Sequence, residues 1–193
     1  MNRMTRTALA AAVAVAAALT LAAPAQAAPT LDSAKQAVDA RIDKRLAALK
    51  QYDSTIADAK QLTAAHKDTL TKLVADQRAG LTALKTKVDG ETTAAALRTD
   101  AQSMVNDYRV FLLTGPKVRL TAAIDTELAV AAKMADKQPG ADAVKQALTG
   151  QADKLLAVRP GADADAIKSA VTPIRDAAKK AHTDLKALRK SKK

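Results

Sequence analysis

Two histidines, five serines and two glutamates are the side chains of this 193-residue sequence that could most directly run acid–base or nucleophilic chemistry. Their spacing does not support it. His66 and His182 stand alone, with no HExxH and no paired-His spacing of the kind zinc requires. Ser33, Ser54, Ser103, Ser169 and Ser191 are scattered, and none sits in a Gly-rich elbow. Glu91 and Glu127 are far apart, and the 18 Asp fall where helix faces and caps are solvated. A carboxylate pair assembled across helices is the one catalytic arrangement left open. Asp163-Ala164-Asp165 begins like a calcium loop, but an EF-hand starting there needs Gly at 168 and Glu at 174, where Lys168 and Ile174 stand. Those Asp residues fit a helix N-cap instead. There is no Cys, no phosphate-binding loop and no dinucleotide fingerprint. The expectation is a protein without enzymatic activity, metal or cofactor.

What remains is charge, and it is unevenly placed. Beyond residue 27 the chain carries 29 Lys/Arg against 20 Asp/Glu, and residues 175–193 alone carry 8 against 2. Lys168, Arg175, Lys179, Lys186 and Lys190 recur at steps of 7, 4, 7 and 4, which places them along one side of a helix. Arg189, Lys192 and Lys193 extend this basic end. One reading is a solvated face with cations favoured at a helix C-terminus, followed by a frayed, soluble tail. The other is a contact surface for a polyanion, either an anionic cell-wall polymer or lipid headgroups. Nucleic acid fits poorly, because no aromatic residue is interleaved for base stacking.

These residues need an exported scaffold. Arg3 and Arg6, the uncharged run Thr7 to Ala23, Pro24 and Ala25-Gln26-Ala27 form a secretory signal with cleavage expected after Ala27. An uncleaved anchor is the rival, but the run is short and weakly apolar for a membrane span. The mature length of 166 residues suits one domain at 28–188 with a basic tail at 189–193, in the medium, on the cell envelope, or in the periplasm of a two-membrane cell. Leu, Ile, Val and Phe make up only 34 of those residues, a proportion at the border of stable folding, and 36 Ala compensate through helix propensity.

Apolar residues repeat every three to four positions throughout, and nothing alternates with period two. The fold class expected is all-α: an elongated, antiparallel, up-and-down bundle of about five to six helices. The first helix runs from Leu31 to about Lys60, capped by Thr30 or Asp32, with a break near Leu62-Thr63; a single helix over residues 31–88 is the alternative. The second ends at Asp89-Gly90, with Gly90 expected to turn left-handed. The third starts at Thr92 or Thr93 and runs to about Leu113; a fourth starts at Pro116. A fifth is bounded by turns at Pro139-Gly140 and Pro160-Gly161, and a sixth begins near Ala162 with a kink at Pro173. Long helices with Leu stripes also allow self-association.

The stretch YRVFLLTGPKVRL, residues 108–120, holds the only Phe and the only Gly-Pro. Tyr108, Phe111 and Leu112 share a helical face and are expected to point into a core, with Arg109, Lys117 and Arg119 on the wet side. A packing corner and a ligand groove are both open readings. The longer segment YRVFLLTGPKVRLTAAID resembles one recurring in uncharacterised, exported, Ala-rich helical proteins of bacteria. LTALKTKVDGETTAAALRTDAQSM and HTDLKALRK are similar to segments that accompany it. The resemblance implies an envelope or extracellular helical protein with no assigned activity. Thr114 and Gly115 stand where more apolar residues would be expected, which predicts a looser corner. The composite expectation is a structural or adhesive protein touching anionic envelope polymers through its basic C-terminal helix. The alternative is a carrier that opens to hold a lipid or apolar ligand.

Overall fold

The computed structural model describes residues 30–190. The expected signal segment at 1–27, and the tail residues Lys192 and Lys193, lie outside them. The described residues form an all-α bundle with no strand: α1 (Leu31–Asp58), α2 (Ala64–Gly90), α3 (Ala94–Asn106), a single π-turn (Val110–Thr114), α4 (Gly115–Met134), α5 (Gly140–Leu148), α6 (Gln151–Ala157) and α7 (Ala164–Lys190).

Local chemistry explains the starts. The hydroxyls of Thr30, Thr63 and Thr93 accept from the backbone N–H of Ser33, His66 and Ala96, so each of the first three helices has a Thr N-cap. The cap at Thr63 settles the break between α1 and α2. Ordered polar contacts then tie these two helices together. Lys35 donates to the Asp89 carbonyl, Lys85 pairs with Asp43, and Arg78 with Asp53. Numbers rise along one helix as they fall along the other, which makes α1 and α2 a hairpin. Gly90 does not become left-handed as expected. It stays in the last turn, and the chain leaves through an extended Glu91 at φ −68° and ψ 137°.

Two apolar clusters fill the bundle. The first joins α1, α2 and α3 through residues such as Ile42, Leu49, Leu70, Leu81 and Met104. The second joins α4 to α7 through Ile124, Leu148, Leu155, Ile174 and Leu185. Each large aliphatic side chain so buried contributes roughly 1.5–3 kcal/mol. α4 serves both, giving Val118 to the first and Ile124 and Ala131 to the second.

Where these clusters meet, the structure corrects the sequence reading. α3 stops at Asn106 rather than near Leu113, because Arg109 takes a left-handed backbone at φ 33° and ψ 38° and a π-turn follows. That rotation aims Val110 and Leu113 inward and turns Phe111 outward, leaving it 54% exposed. The Phe111 ring instead lies under the Arg45 guanidinium, 5.5 Å from its centroid. Tyr108 packs where only a glycine fits: a Cβ on Gly80 would lie 2.5 Å from its ring.

Nor are the cations of this stretch all wet. Lys117 is 5% exposed and donates to the carbonyls of Leu156 (2.8 Å) and Val158 (2.6 Å). Its burial first, and Arg159 second, lower its pKa to about 8. Arg109 donates from Nε to the Gly161 carbonyl (2.7 Å) and from its guanidinium to the Ala162 carbonyl (2.6 Å). Its left-handed backbone costs about 1–3 kcal/mol, which these bonds help to offset. Arg119 does stay exposed, 5.6 Å over the Tyr52 ring. The corner is also tight rather than loose. Thr114 and Gly115 are buried, and a Cβ on Gly115 would meet the Tyr52 hydroxyl at 2.5 Å.

A third polar tie crosses the same boundary. His66 Nδ1 meets the buried Asp125 carboxylate at 2.8 Å, Thr63 N donates to that carboxylate at 2.9 Å, and His66 Nε2 meets Asp153 at 3.2 Å. Burial disfavours the charged ring, but the two carboxylates outweigh it and raise the His66 pKa. The single fifth helix of the sequence reading is two. Gly150, at φ 74°, separates α5 from α6.

Candidate functional site

The basic residues singled out in the sequence belong to α7. Asp163 caps this helix, its Oδ1 accepting from the N–H groups of Asp165 (2.9 Å) and Ala166 (2.8 Å). The helix continues through Pro173 to Lys190. Ile167, Val171, Ile174, Ala178, Ala181 and Leu185 are buried against the second cluster at steps of three and four, which fixes the rotation of the helix.

That rotation decides where the cations go. Arg175, Lys179, Lys186, Arg189 and Lys190 are exposed, and none of their side chains makes a hydrogen bond or ion pair among the described residues. Lys168 shares their face but is partnered, its Nζ 2.9 Å from Asp165. At 100° per residue the whole set falls within about a third of the helix circumference. It borders the buried stripe on the side facing α4.

Between α4 and α7 runs a groove in joined sections. The first, about 620 Å³, has Leu120, Ala123 and Ala178 as its floor and Arg175, Lys179 and His182 along its wall. The next, about 360 Å³, shares Glu127 and His182 with it and adds Val130, Leu185, Lys186 and Arg189. A third, about 420 Å³, continues from Val130 and Arg189 to Met134 and brings Lys133 and Lys137 from the other side. Arg175 to Arg189 is about 21 Å of helix. The groove's single carboxylate, Glu127, is hydrogen-bonded to His182, its Oε1 2.7 Å from Nδ1.

Sequence reading found the α7 cations and missed the rest of this wall. His182 lies three residues after Lys179 and four before Lys186, so the helical step could have placed it on the same face. Lys133 and Lys137 carried no such signal, because they join only through the packing of α4 beside α7. Chemically the arrangement can hold anions by charge and cover apolar groups with its floor. Among the described residues no group of three or more His, Asp or Glu is arranged to hold a metal ion, and no helix is long and apolar enough to cross a membrane.

No family model, no curated protein and no solved structure matches this chain.

Proposed function

We propose that this protein is exported, with residues 1–27 removed, and that it works without catalysis by binding an anionic polymer of the cell envelope along the outer face of α7. The observation that supports the reading is the row Arg175, Lys179, Lys186, Arg189 and Lys190: exposed, on one face, and without a protein carboxylate as partner. A row of unpaired cations creates a local positive potential that attracts a polyanion and weakens with salt. Lys192 and Lys193 continue the same charge in sequence. Lys168 plays a lesser part, since Asp165 already neutralises it.

The test is co-sedimentation with isolated cell envelopes. The protein should pellet at low ionic strength and be released as salt rises. A variant with Arg175, Lys179, Lys186 and Arg189 all changed to Gln should stay in the supernatant. Equal pelleting of that variant contradicts the reading. A second reading, a carrier of a lipid or apolar ligand, is favoured by one specific observation: the floor of the α4–α7 groove is apolar.

A further inference from the structure

We infer that the α4–α7 groove selects an amphiphilic anion, one acyl chain with a phosphate or carboxylate head, rather than any anion of sufficient charge. The inference rests on the α7 face being an anion-binding surface and names the class of ligand that the face prefers. The head sits between Arg175 and Lys179. The chain lies on Leu120, Ala123 and Ala178 and runs toward Val130 and Leu185. The bundle need not open, because Ala123 is exposed and Leu120 half-buried at the groove surface, over the buried Ala178.

The two flanks of α7 differ in charge. α7 has a second groove on its other flank, against α5, of about 680 Å³ and equally apolar, lined by Ala143, Ala147, Ala177 and Leu188. Its two charged residues, Lys180 and Asp184, pair with each other at 2.6 Å. That groove offers apolar surface with no net charge. The α4 side offers apolar surface with unpaired cations along one wall, and its only carboxylate is held by His182. A polymer bearing charge alone would gain nothing from the floor; an acyl chain alone would gain nothing from the wall. An anionic amphiphile uses both. The volume of the first section also falls within the range usual for small-ligand sites.

The probe is dodecyl phosphate, titrated below its micelle concentration into the purified protein, beside inorganic phosphate, dodecanol and soluble polyphosphate. The inference predicts that dodecyl phosphate binds about tenfold or more tightly than inorganic phosphate, the gain from roughly two buried methylenes. Ala123→Gln, a neutral change at an exposed position of the floor, should abolish that gain and leave polyphosphate binding as it was. An R175Q/K179Q variant should weaken dodecyl phosphate, and dodecanol should bind more weakly than dodecyl phosphate. If polyphosphate binds but dodecyl phosphate does no better than inorganic phosphate, or if Ala123→Gln leaves dodecyl phosphate binding unchanged, the selectivity is wrong and the anion-binding face stands. Dodecanol binding as tightly as dodecyl phosphate would overturn the role of the cations in the groove. If neither polyphosphate nor dodecyl phosphate binds, the face itself is refuted.

Discussion

Lys117 and Lys179 are both lysines on helices of the same bundle, and they have opposite fates. Lys117, at the corner between the two apolar clusters, is buried and its ammonium holds two main-chain carbonyls at the end of α6. Lys179, on α7, is exposed and holds no protein group. Arg109 and Arg175 repeat the contrast, one clamping the loop before α7 and the other pointing into water. Net charge counts all four alike. What separates a structural cation from a candidate binding cation is whether the fold already supplies its acceptor. The corner uses its N–H donors to hold the halves together. The α7 face leaves its charge for something outside.

The contrast can be broken most forcefully at Lys117. Lys117→Met removes the ammonium that donates to the Leu156 and Val158 carbonyls and should cost about 2 kcal/mol or more, measured by urea denaturation. Sign matters here too. A lysine depressed to about 8 in the fold and near 10.5 when unfolded opposes folding while charged. Wild-type stability contributed by this group should therefore rise as pH climbs from about 8 toward 10.5, and the Met variant should lack that rise. Gly115→Ala probes the same corner sterically. The added Cβ meets Tyr52, a rigid neighbour, and should cost about 1–3 kcal/mol in the same denaturation experiment.

His66 gives a pH-dependent version. Its raised pKa means that the protonated ring favours the folded state. The contribution is full below the ordinary value of 6.5 and is lost as pH rises through the elevated folded value. Melting curves should show the advantage of wild type over His66→Gln shrinking across that interval. An advantage that grows instead would contradict the assignment. The smallest effect belongs to Phe111. With its ring more than half exposed, Phe111→Ala should change stability by less than about 1 kcal/mol, whereas an inward-facing Phe would cost several times that.

Most of the bundle was readable from periodicity, because amphipathic helices with Thr caps and Gly/Pro turns leave local marks. Ile42, Leu49, Leu70 and Ile174 lie in the core as their spacing indicated. The corner was not readable in the same way. A helical wheel puts Phe111 beside Tyr108, but a left-handed Arg109 and one π-turn rotate the chain between them. That rotation is set by tertiary partners, Gly80 under Tyr108 and the carbonyls of Gly161 and Ala162, which lie far away in sequence. Gly115 illustrates the same limit. Its smallness answers Tyr52, about sixty residues earlier, and no local pattern shows it. For the candidate site the division is similar. The α7 cations follow from one helix's own sequence. The groove they line needs α4 beside them, which the sequence of α7 does not show.

The central claim is that cations on α7 serve binding and cations at the corner serve folding. It is tested most directly by measuring polyphosphate affinity and urea stability together, at several salt concentrations, for wild type and for the variant with Arg175, Lys179, Lys186 and Arg189 changed to Gln. The account predicts wild-type binding that falls steeply as salt rises, loss of that binding in the variant, and no loss of stability. Unchanged binding in the variant, or a loss of stability as large as that of Lys117→Met, would contradict it.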